Sequence, residues 1–366
     1  MDIAISATVI VVSIIFLSII TDEFFIPSLD VISQKWGLPS NVAGASLMAM
    51  GSSMPELSIA LLALVQDGGT HGDLGIGNIV GSAVFNILVI TGASAMVRSA
   101  QITWSVVVRD CLIYTVSVLL LLWAFYDGVI TIFESVLFLI VYGGYIVILF
   151  KWPADEMGST PETFIGDGEA DEAHPGGNII IRSLQGFFRL FTGKPRESYI
   201  RAFLVSVGFI ALISWFLVEY AIVMAKALSI PPVIVGLTVL AAGSSVPDLI
   251  ASLVVSREGR GEMAVSNAVG SNIFDILIGL GLPWLLVLVF QQEPIEVGTA
   301  DLWSSTLVLL GTVLILFVFL WTGRELTRVE GAILVGIYVV YVLWIWLSPT
   351  SAEVEHAWNL MLGLLS

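Results

Sequence analysis

Two short stretches of this chain carry most of its chemistry. Residues 49–57 read AMGSSMPEL and residues 241–249 read AAGSSVPDL. Each sets two hydroxyls, a proline and a carboxylate inside an apolar run. Pro55 has no N–H, and its ring clashes with the carbonyl four residues back, at Gly51, so a helix must kink there. The carbonyls from Ala49 to Gly51 are then expected to lose partners. In hydrocarbon a cation, a neighbouring helix, water or a hydroxyl must satisfy them. Pro55 suits the first turn of the next half-helix, which puts Glu56 at a positive helix end. Ser52 and Ser53 precede Glu56 by four and three residues and share its face. The same reasoning arranges Ala241, Gly243, Ser244 and Ser245 around Pro247 and Asp248.

A second pair of stretches follows the first. Residues 77–88 read GNIVGSAVFNIL and residues 266–277 read SNAVGSNIFDIL. Ser82 and Asn86 lie four apart on one helical face, and Ser271 and Asp275 are their counterparts. Gly77, Gly81 and Gly270 are expected to let helices approach closely. Ionisable residues inside a membrane are costly and are functional candidates by default. Glu56, Asp248 and Asp275 are the three here, and their motifs hold no basic partner. Oxygen-only ligation suits hard cations such as Ca²⁺ and Na⁺. No Cys or His lies near the motifs; His71, His174 and His356 are given no role. No cofactor is expected. Arg109 and Asp110 are expected to pair with other spans or sit near an interface. Glu134 and Glu219 fall near span ends, with structural roles.

The elements that position these residues are membrane helices. The 366 residues are 57% hydrophobic and 12% charged, against roughly 25% charged in soluble domains. Mean hydropathy is +0.98. Apolar runs predict ten spans: 3–25, 40–65, 74–97, 105–126, 129–151, 199–228, 232–256, 263–289, 303–322 and 328–348. The runs are continuous rather than alternating, which excludes a membrane β-barrel. The first lacks a basic leading segment and a small-residue exit, so it reads as a span rather than a cleaved signal. Net charge is −16, which argues against a nucleic-acid partner. The single cysteine, Cys111, reads as a small core residue. The tryptophans read mostly as interfacial anchors.

Basic residues give an orientation. With both termini outside, Lys35, Arg98, Lys151, Arg182, Arg189, Lys194, Arg196, Arg201, Arg257, Arg260, Arg324 and Arg328 all fall inside. Lys226 falls outside and Arg109 lies within the fourth span. Residues 153–198 form a cytoplasmic loop. Its first part is acidic and reads as a solvated linker; its second part, 178–196, suits an amphipathic helix on the inner leaflet. The organisation is therefore 1–152, a first five-helix unit; 153–198, the loop; 199–348, a second five-helix unit; and 349–366, a tail. The lipid bilayer is the expected partner, with no obligate protein partner evident.

The motifs recur at offsets of 192 and 189 residues, on spans 2 and 3 and again on spans 7 and 8. Five spans separate the copies, so they cross the membrane in opposite senses. Inverted repeats with broken helices are the architecture of secondary transporters, whose site lies near the midplane. The expectation is an all-α membrane protein of ten helices in two inverted five-helix repeats.

The paired GSS-x-P-[ED] and GS-x-x-x-[ND] elements resemble the repeats of the Ca²⁺/cation antiporter superfamily, the sodium/calcium exchangers. The stretches HGDLGIGNIVGSAVFNIL and SVPDLIASLVVSREGRGEMAVSNAVGSNIFDILIGLGLPW are most similar to its potassium-dependent branch. The resemblance implies a secondary antiporter, not an enzyme, exchanging Na⁺ for Ca²⁺ by alternating access in a plasma or bacterial inner membrane. Potassium is expected to move alongside Ca²⁺. It implies Glu56 and Asp248 as central Ca²⁺ carboxylates, with oxygens from Ser52 and Ser244 and the carbonyls of Ala49 and Ala241 nearby. Ser53, Ser82, Ser245 and Ser271 would help hold Na⁺, Asn86 and Asp275 would complete the ring, and Asp275 would be tied to K⁺. Three carboxylates balance one Ca²⁺ plus one K⁺, which avoids burying net charge. The alternatives are a potassium-independent Na⁺/Ca²⁺ or H⁺/Ca²⁺ exchanger of the same fold, a cation channel and, remotely, an intramembrane aspartyl protease. One departure stands out: position 83 is Ala where the second copy has Asn272, so the halves are not chemically equal.

Overall fold

The computed structural model describes residues 2–37, 47, 49–66, 71–101, 104–151, 179–257, 259, 261–291, 294–297, 300–323 and 325–347. The acidic part of the 153–198 loop, the 349–366 tail, His174 and His356 lie outside these residues.

The chain is helical almost throughout. In order the helices are α1 (Asp2–Ile20), α2 (Ile26–Trp36), α3 (Ala49–Ser52), α4 (Met54–Val65), α5 (Gly72–Phe85) and α6 (Thr91–Val97). Then come α7 (Trp104–Ala124), α8 (Ile132–Lys151), α9 (Ile179–Thr192), α10 (Tyr199–Leu228), α11 (Pro232–Val235) and α12 (Ala241–Ser244). The last are α13 (Val246–Arg257), α14 (Gly261–Phe274), α15 (Gly281–Gln291), α16 (Ala300–Gly323) and α17 (Arg328–Leu347). Wide π-helical turns at Thr21–Phe25, Asn86–Ile90, Gly236–Leu240 and Asp275–Leu280 join consecutive helices without interrupting them. Such turns are rare and gather at functional sites.

Among the described residues seven helices are long and apolar enough to cross a membrane, or up to eight if a bent pair counts as one span. The bent pair is Pro232–Ser244 with Val246–Arg257, at 42°. Two expected spans are not among these. Residues 40–65 are represented by α3 and the short α4, and much of their first half lies outside the described residues. Residues 105–126 form α7, which carries the charged Arg109 and Asp110. The first expected span, 3–25, is longer than predicted. It runs on through Thr21–Phe25 and past Pro27 to Trp36, a 34-residue stretch. Pro27 falls at the start of α2, where its missing N–H costs little after a widened turn.

Depth of burial orders the helices. The most apolar stretch of Gly72–Val97 is 83% buried and that of Gly261–Gln291 is 67% buried, against 22% for Arg328–Leu347. The helices carrying the second motifs are therefore central, and outer helices shield them. Leu119, Ile140, Val340 and Leu347 present exposed apolar surface, as lipid-facing positions should. Central packing depends on missing side chains. A Cβ on Gly81 would collide with the Leu237 backbone and stand 2.7 Å from the Ala241 Cβ. One on Gly236 would meet the Leu74 carbonyl, and one on Gly77 the Val233 carbonyl at 3.0 Å. Gly270 departs from expectation: nothing lies within 4 Å of its Cβ position.

Two hydrophobic bodies result. One joins α5, α7, α14, α15 and α16 through residues such as Ile79, Tyr114, Ile273, Trp284 and Leu309. The other joins α1 to α10 through Ile10, Leu17, Phe25, Ile210 and Leu217. Helix α4 sits on the seam, with Ala60 and Leu64 in the first body and Ile59 and Ala63 in the second. The amphipathic expectation for 178–196 is met by α9, whose Phe188 stacks edge-on against Phe16 and Phe209 at 5.6 and 5.2 Å. Arg201 caps its end, donating to the Phe191 carbonyl at 2.8 Å. Trp284 is an exception to the interfacial reading, because it is fully buried between Phe125 and Phe138. Cys111 is buried as expected.

The all-α expectation needs one small addition. Ala100–Gln101 pairs antiparallel with Glu325–Leu326, and Val129–Ile130 with Ile295–Glu296. Each bridge ties a connection of the first half to one of the second. Matching caps begin the last helix of each half. Thr131 donates its N–H and hydroxyl to Glu134 at 2.7 and 2.9 Å, and Thr327 does the same to Glu330 at 2.8 and 2.7 Å. These are reciprocal capping boxes, so Glu134 is structural as expected. Arg109 and Asp110 pair with each other at 2.7 Å, and Asp110 also reaches the Tyr145 hydroxyl on α8, so the expected pairing with another span is met as well.

Candidate functional site

The helix breaks form where the prolines require them, and the two copies adopt one geometry. Ser53 separates α3 from α4 at φ −91°, ψ 4°, and Ser245 separates α12 from α13 at φ −90°, ψ 0°. The carbonyls behave differently from expectation. The Ala49 carbonyl accepts from the Ser53 N–H at 3.0 Å and the Ser52 hydroxyl at 3.3 Å. The Ala241 carbonyl accepts from the Ser245 N–H at 3.3 Å and the Ser244 hydroxyl at 3.4 Å. Each proline removes only the donor owed to the residue four before it, Gly51 or Gly243. Ala49 and Ala241 keep partners, and an ion reaching either must displace a serine hydroxyl.

The breaks face one another. The Glu56 carboxylate lies within hydrogen-bond reach of the Ser244 hydroxyl, across the two halves. Asp275 stands in the same relation to Ser53. Each acid is served by a hydroxyl from the opposite copy of the first motif. Asp248 and Asp275 are both close enough to Glu56 for their charges to interact directly. Among the described residues, however, no three acid, His or Cys side chains close on a single point. The three carboxylates do not share one point, and a serine hydroxyl stands beside each of Glu56 and Asp275.

The second motifs lock at the centre. Asn86 and Asp275 each open a π-helical turn. The Asn86 amide donates to Ser271 at 3.3 Å and to Asn272 Oδ1 at 2.9 Å. Asn272 donates in turn to the Ala83 carbonyl at 3.0 Å and the Tyr114 hydroxyl at 2.9 Å. The Ala83/Asn272 asymmetry thus has a physical reason: the larger side chain of one copy fills the place left by the smaller. Ser82 and Ser271 donate to carbonyls three residues back, at 2.9 and 3.2 Å, while Ser271 also accepts from the Asn86 amide.

Several buried oxygens here have no hydrogen-bond partner: Glu56 Oε2, Asp275 Oδ1, Asn86 Oδ1 and Ser245 Oγ. Glu56, Asp275, Asn86 and Ser245 are each at most 3% exposed. A buried unsatisfied polar atom costs about 1–3 kcal/mol, more if charged. Four such oxygens, drawn from both halves, fit a site that a cation completes.

Sequence reasoning missed four contributors. Asn78 is fully buried with neither amide atom partnered; it lies inside a recognised motif, four residues before Ser82 and on the same helical face, but was not singled out. Tyr114 supports Asn272 from α7, with no motif to mark it. Thr21 and Asp22 line a cavity with Ser52, Ser244 and Asp248. Their signal was an acid in the otherwise apolar first run.

Comparison with known proteins gives the family and the fold. A family model described as "Sodium/calcium exchanger protein" matches residues 5–151 and 198–347. Human sodium/potassium/calcium exchanger 5 is 30% identical over 397 residues, covering 87% of this chain and 78% of its own. Mouse sodium/potassium/calcium exchanger 4 is 27% identical, covering 89% and 78%. The structure of the sodium-calcium exchanger NCX_Mj superimposes at TM-score 0.59 with 22% identity, over 93% of this chain and 99% of that one. The H⁺/Ca²⁺ exchanger CAX superimposes at TM-score 0.66 with 16% identity, over 99% and 86%. At these identities the two structures speak for the fold.

Proposed function

The chain belongs to the sodium/calcium exchanger protein family, and from that premise we propose that it exchanges Na⁺ for Ca²⁺ through the Glu56–Asp248 site, with K⁺ moving alongside Ca²⁺. It is an integral membrane transporter and not an enzyme, which removes the protease reading. The observation that carries the proposal is the set of partnerless buried oxygens on Glu56, Asp275, Asn86 and Ser245. All are hard ligands, and none belongs to Cys or His.

Each residue takes a role in that reading. Glu56 and Asp248 hold Ca²⁺, with Ser52 and Ser244 beside them. Ser53, Ser82, Ser245 and Ser271 contribute to Na⁺ sites. Asp275, with Asn86 and the Ser53 hydroxyl, forms the more distant oxygen cluster and is assigned to K⁺. Because the carboxylates do not share one point, Na⁺ and Ca²⁺ compete for overlapping rather than identical oxygens. Release of one then empties ligands for the other, as antiport requires.

The architecture proposed is ten spans in two inverted repeats, residues 1–152 and 199–348, with both termini outside and the central loop cytoplasmic. Three features support it. The family match falls into two blocks on either side of that loop. The two breaks share one backbone geometry. Each two-residue strand bridge joins connections that the ten-span topology assigns to one side. The site also lies at the seam between two hydrophobic bodies, where relative movement exposes it to either side in turn.

The test is ⁴⁵Ca²⁺ uptake into Na⁺-loaded proteoliposomes, with and without external K⁺, at clamped membrane potential. Uptake needing both internal Na⁺ and external K⁺ supports the proposal. Uptake indifferent to K⁺ removes the K⁺ role of Asp275. Uptake driven by a proton gradient without Na⁺ replaces the reading with H⁺/Ca²⁺ exchange.

A further inference from the structure

The first helix brings a carboxylate to the site that neither repeat motif contains. The turn Thr21–Phe25 is π-helical, and this widening sets Thr21 and Asp22 against the broken helices. Ser18, Thr21 and Asp22 line one side of a cavity, and Ser52, Ser244 and Asp248 line the other. It has room for about one water-sized particle. Its lining holds two carboxylates and no basic side chain. Asp22 and Asp248 are close enough for their charges to interact.

Thr21 points to an occupant independently of the acids. It is 4% exposed, and its hydroxyl has no hydrogen-bond partner although it lines the cavity. A buried hydroxyl is rarely left in that state. Asp22 is exposed, so it stands at the mouth while Thr21 and Ser244 lie deeper. The neighbouring acid, Glu23, is engaged elsewhere: Gln185 of α9 donates to it at 3.0 Å. Glu56 lies behind Ser244. By exposure the oxygens run inward from Asp22 through the half-buried Asp248 to the buried Thr21, Ser244 and Glu56.

We propose that Thr21 and Asp22, with Asp248, form an approach subsite where Ca²⁺ exchanges part of its water shell for protein oxygens before reaching Glu56. The proposal rests on the reading of the chain as a Ca²⁺ exchanger. A charge at the mouth raises the local cation concentration and the rate of capture. Standing at the mouth, it acts on capture more than on the ion once Glu56 holds it. Its loss therefore acts on KM and not on the maximal rate, and only from the membrane face to which the cavity opens.

The experiment measures KM and maximal rate for ⁴⁵Ca²⁺ from each face in proteoliposomes of known orientation. Wild type, Asp22→Asn, Asp22→Glu, Thr21→Val and Glu23→Gln are compared. Asp22→Asn is expected to raise KM about tenfold on one face, equivalent to ~1.4 kcal/mol, with maximal rate kept. Asp22→Glu should restore it, Thr21→Val should raise KM in the same direction, and Glu23→Gln should leave it unchanged. Unchanged KM on both faces in Asp22→Asn and Thr21→Val overturns the subsite. So does a loss of maximal rate on both faces that Asp22→Glu fails to rescue. If Asp22→Asn does not assemble, Thr21→Val decides alone. A wild type without Ca²⁺ transport defeats the exchanger reading, and the subsite with it. An active wild type with unaltered variants defeats the subsite alone.

Discussion

The Ser244 hydroxyl, at the break in one half of the chain, reaches the Glu56 carboxylate beside the break in the other. Neither half can build that contact alone. The hydroxyl has one hydrogen, and the Ala241 carbonyl 3.4 Å away also calls for it. A cation between Glu56 and Asp248 would meet the Ser244 lone pairs and return the hydrogen to Ala241. The serine thus has two satisfied states, one for an empty site and one for a loaded site.

Glu56→Gln and Asp248→Asn should each abolish Ca²⁺ transport. Each amide keeps the shape and removes the charge that offsets ion dehydration. ⁴⁵Ca²⁺ flux in proteoliposomes checks this, and wild-type flux in either variant contradicts the site.

Asp275→Asn should remove K⁺ dependence while sparing part of the Na⁺/Ca²⁺ exchange. The reason is position: Asp275 hydrogen-bonds Ser53 and does not line the cavity shared by Asp248 and Ser244. Flux titrated against external K⁺ measures it. A variant with undiminished K⁺ dependence would refute the assignment.

Gly81→Ala should destabilise the protein by about 1–3 kcal/mol or more, as overpacking does, because the new methyl meets the Leu237 backbone. Gly270→Ala should be tolerated, since that position is open. Thermal denaturation of the detergent-solubilised variants separates the two.

Asn272→Ala should cost about 1–3 kcal/mol by stranding buried partners. It leaves the Ala83 carbonyl, the Tyr114 hydroxyl and the Asn86 amide each short of a bond. The same denaturation assay reads it. A variant as stable as wild type would mean that these bonds are replaced by others.

Much of the site was legible because Gly, Ser, Pro and acids stand out against apolar sequence. Pro55 and Pro247 dictate their breaks by covalent geometry, so a kink just ahead of each proline was legible from residue type alone. The π-helical turns were not legible, since a continuous apolar run has no periodic contrast to show an extra residue. That is why the helix past Pro27 was cut short at residue 25 and why Asp22 went unnoticed. The loss of carbonyl partners was expected from Ala49 to Gly51, but the proline removes only the donor owed to the carbonyl four before it, so Ala49 and Ala241 keep theirs. Gly270 was read as a packing glycine by analogy with Gly81, but its face meets open space. The Asn272–Ala83 contact joins residues 189 apart, a relation that only the folded pairing of the halves creates.

The most direct test compares wild type with Glu56→Gln in one preparation of Na⁺-loaded vesicles. It follows ⁴⁵Ca²⁺ uptake as internal Na⁺ is raised from zero. The account predicts uptake that rises with internal Na⁺ in the wild type and none at any Na⁺ concentration in Glu56→Gln. Equal uptake by the two proteins, or wild-type uptake that ignores internal Na⁺, would contradict it.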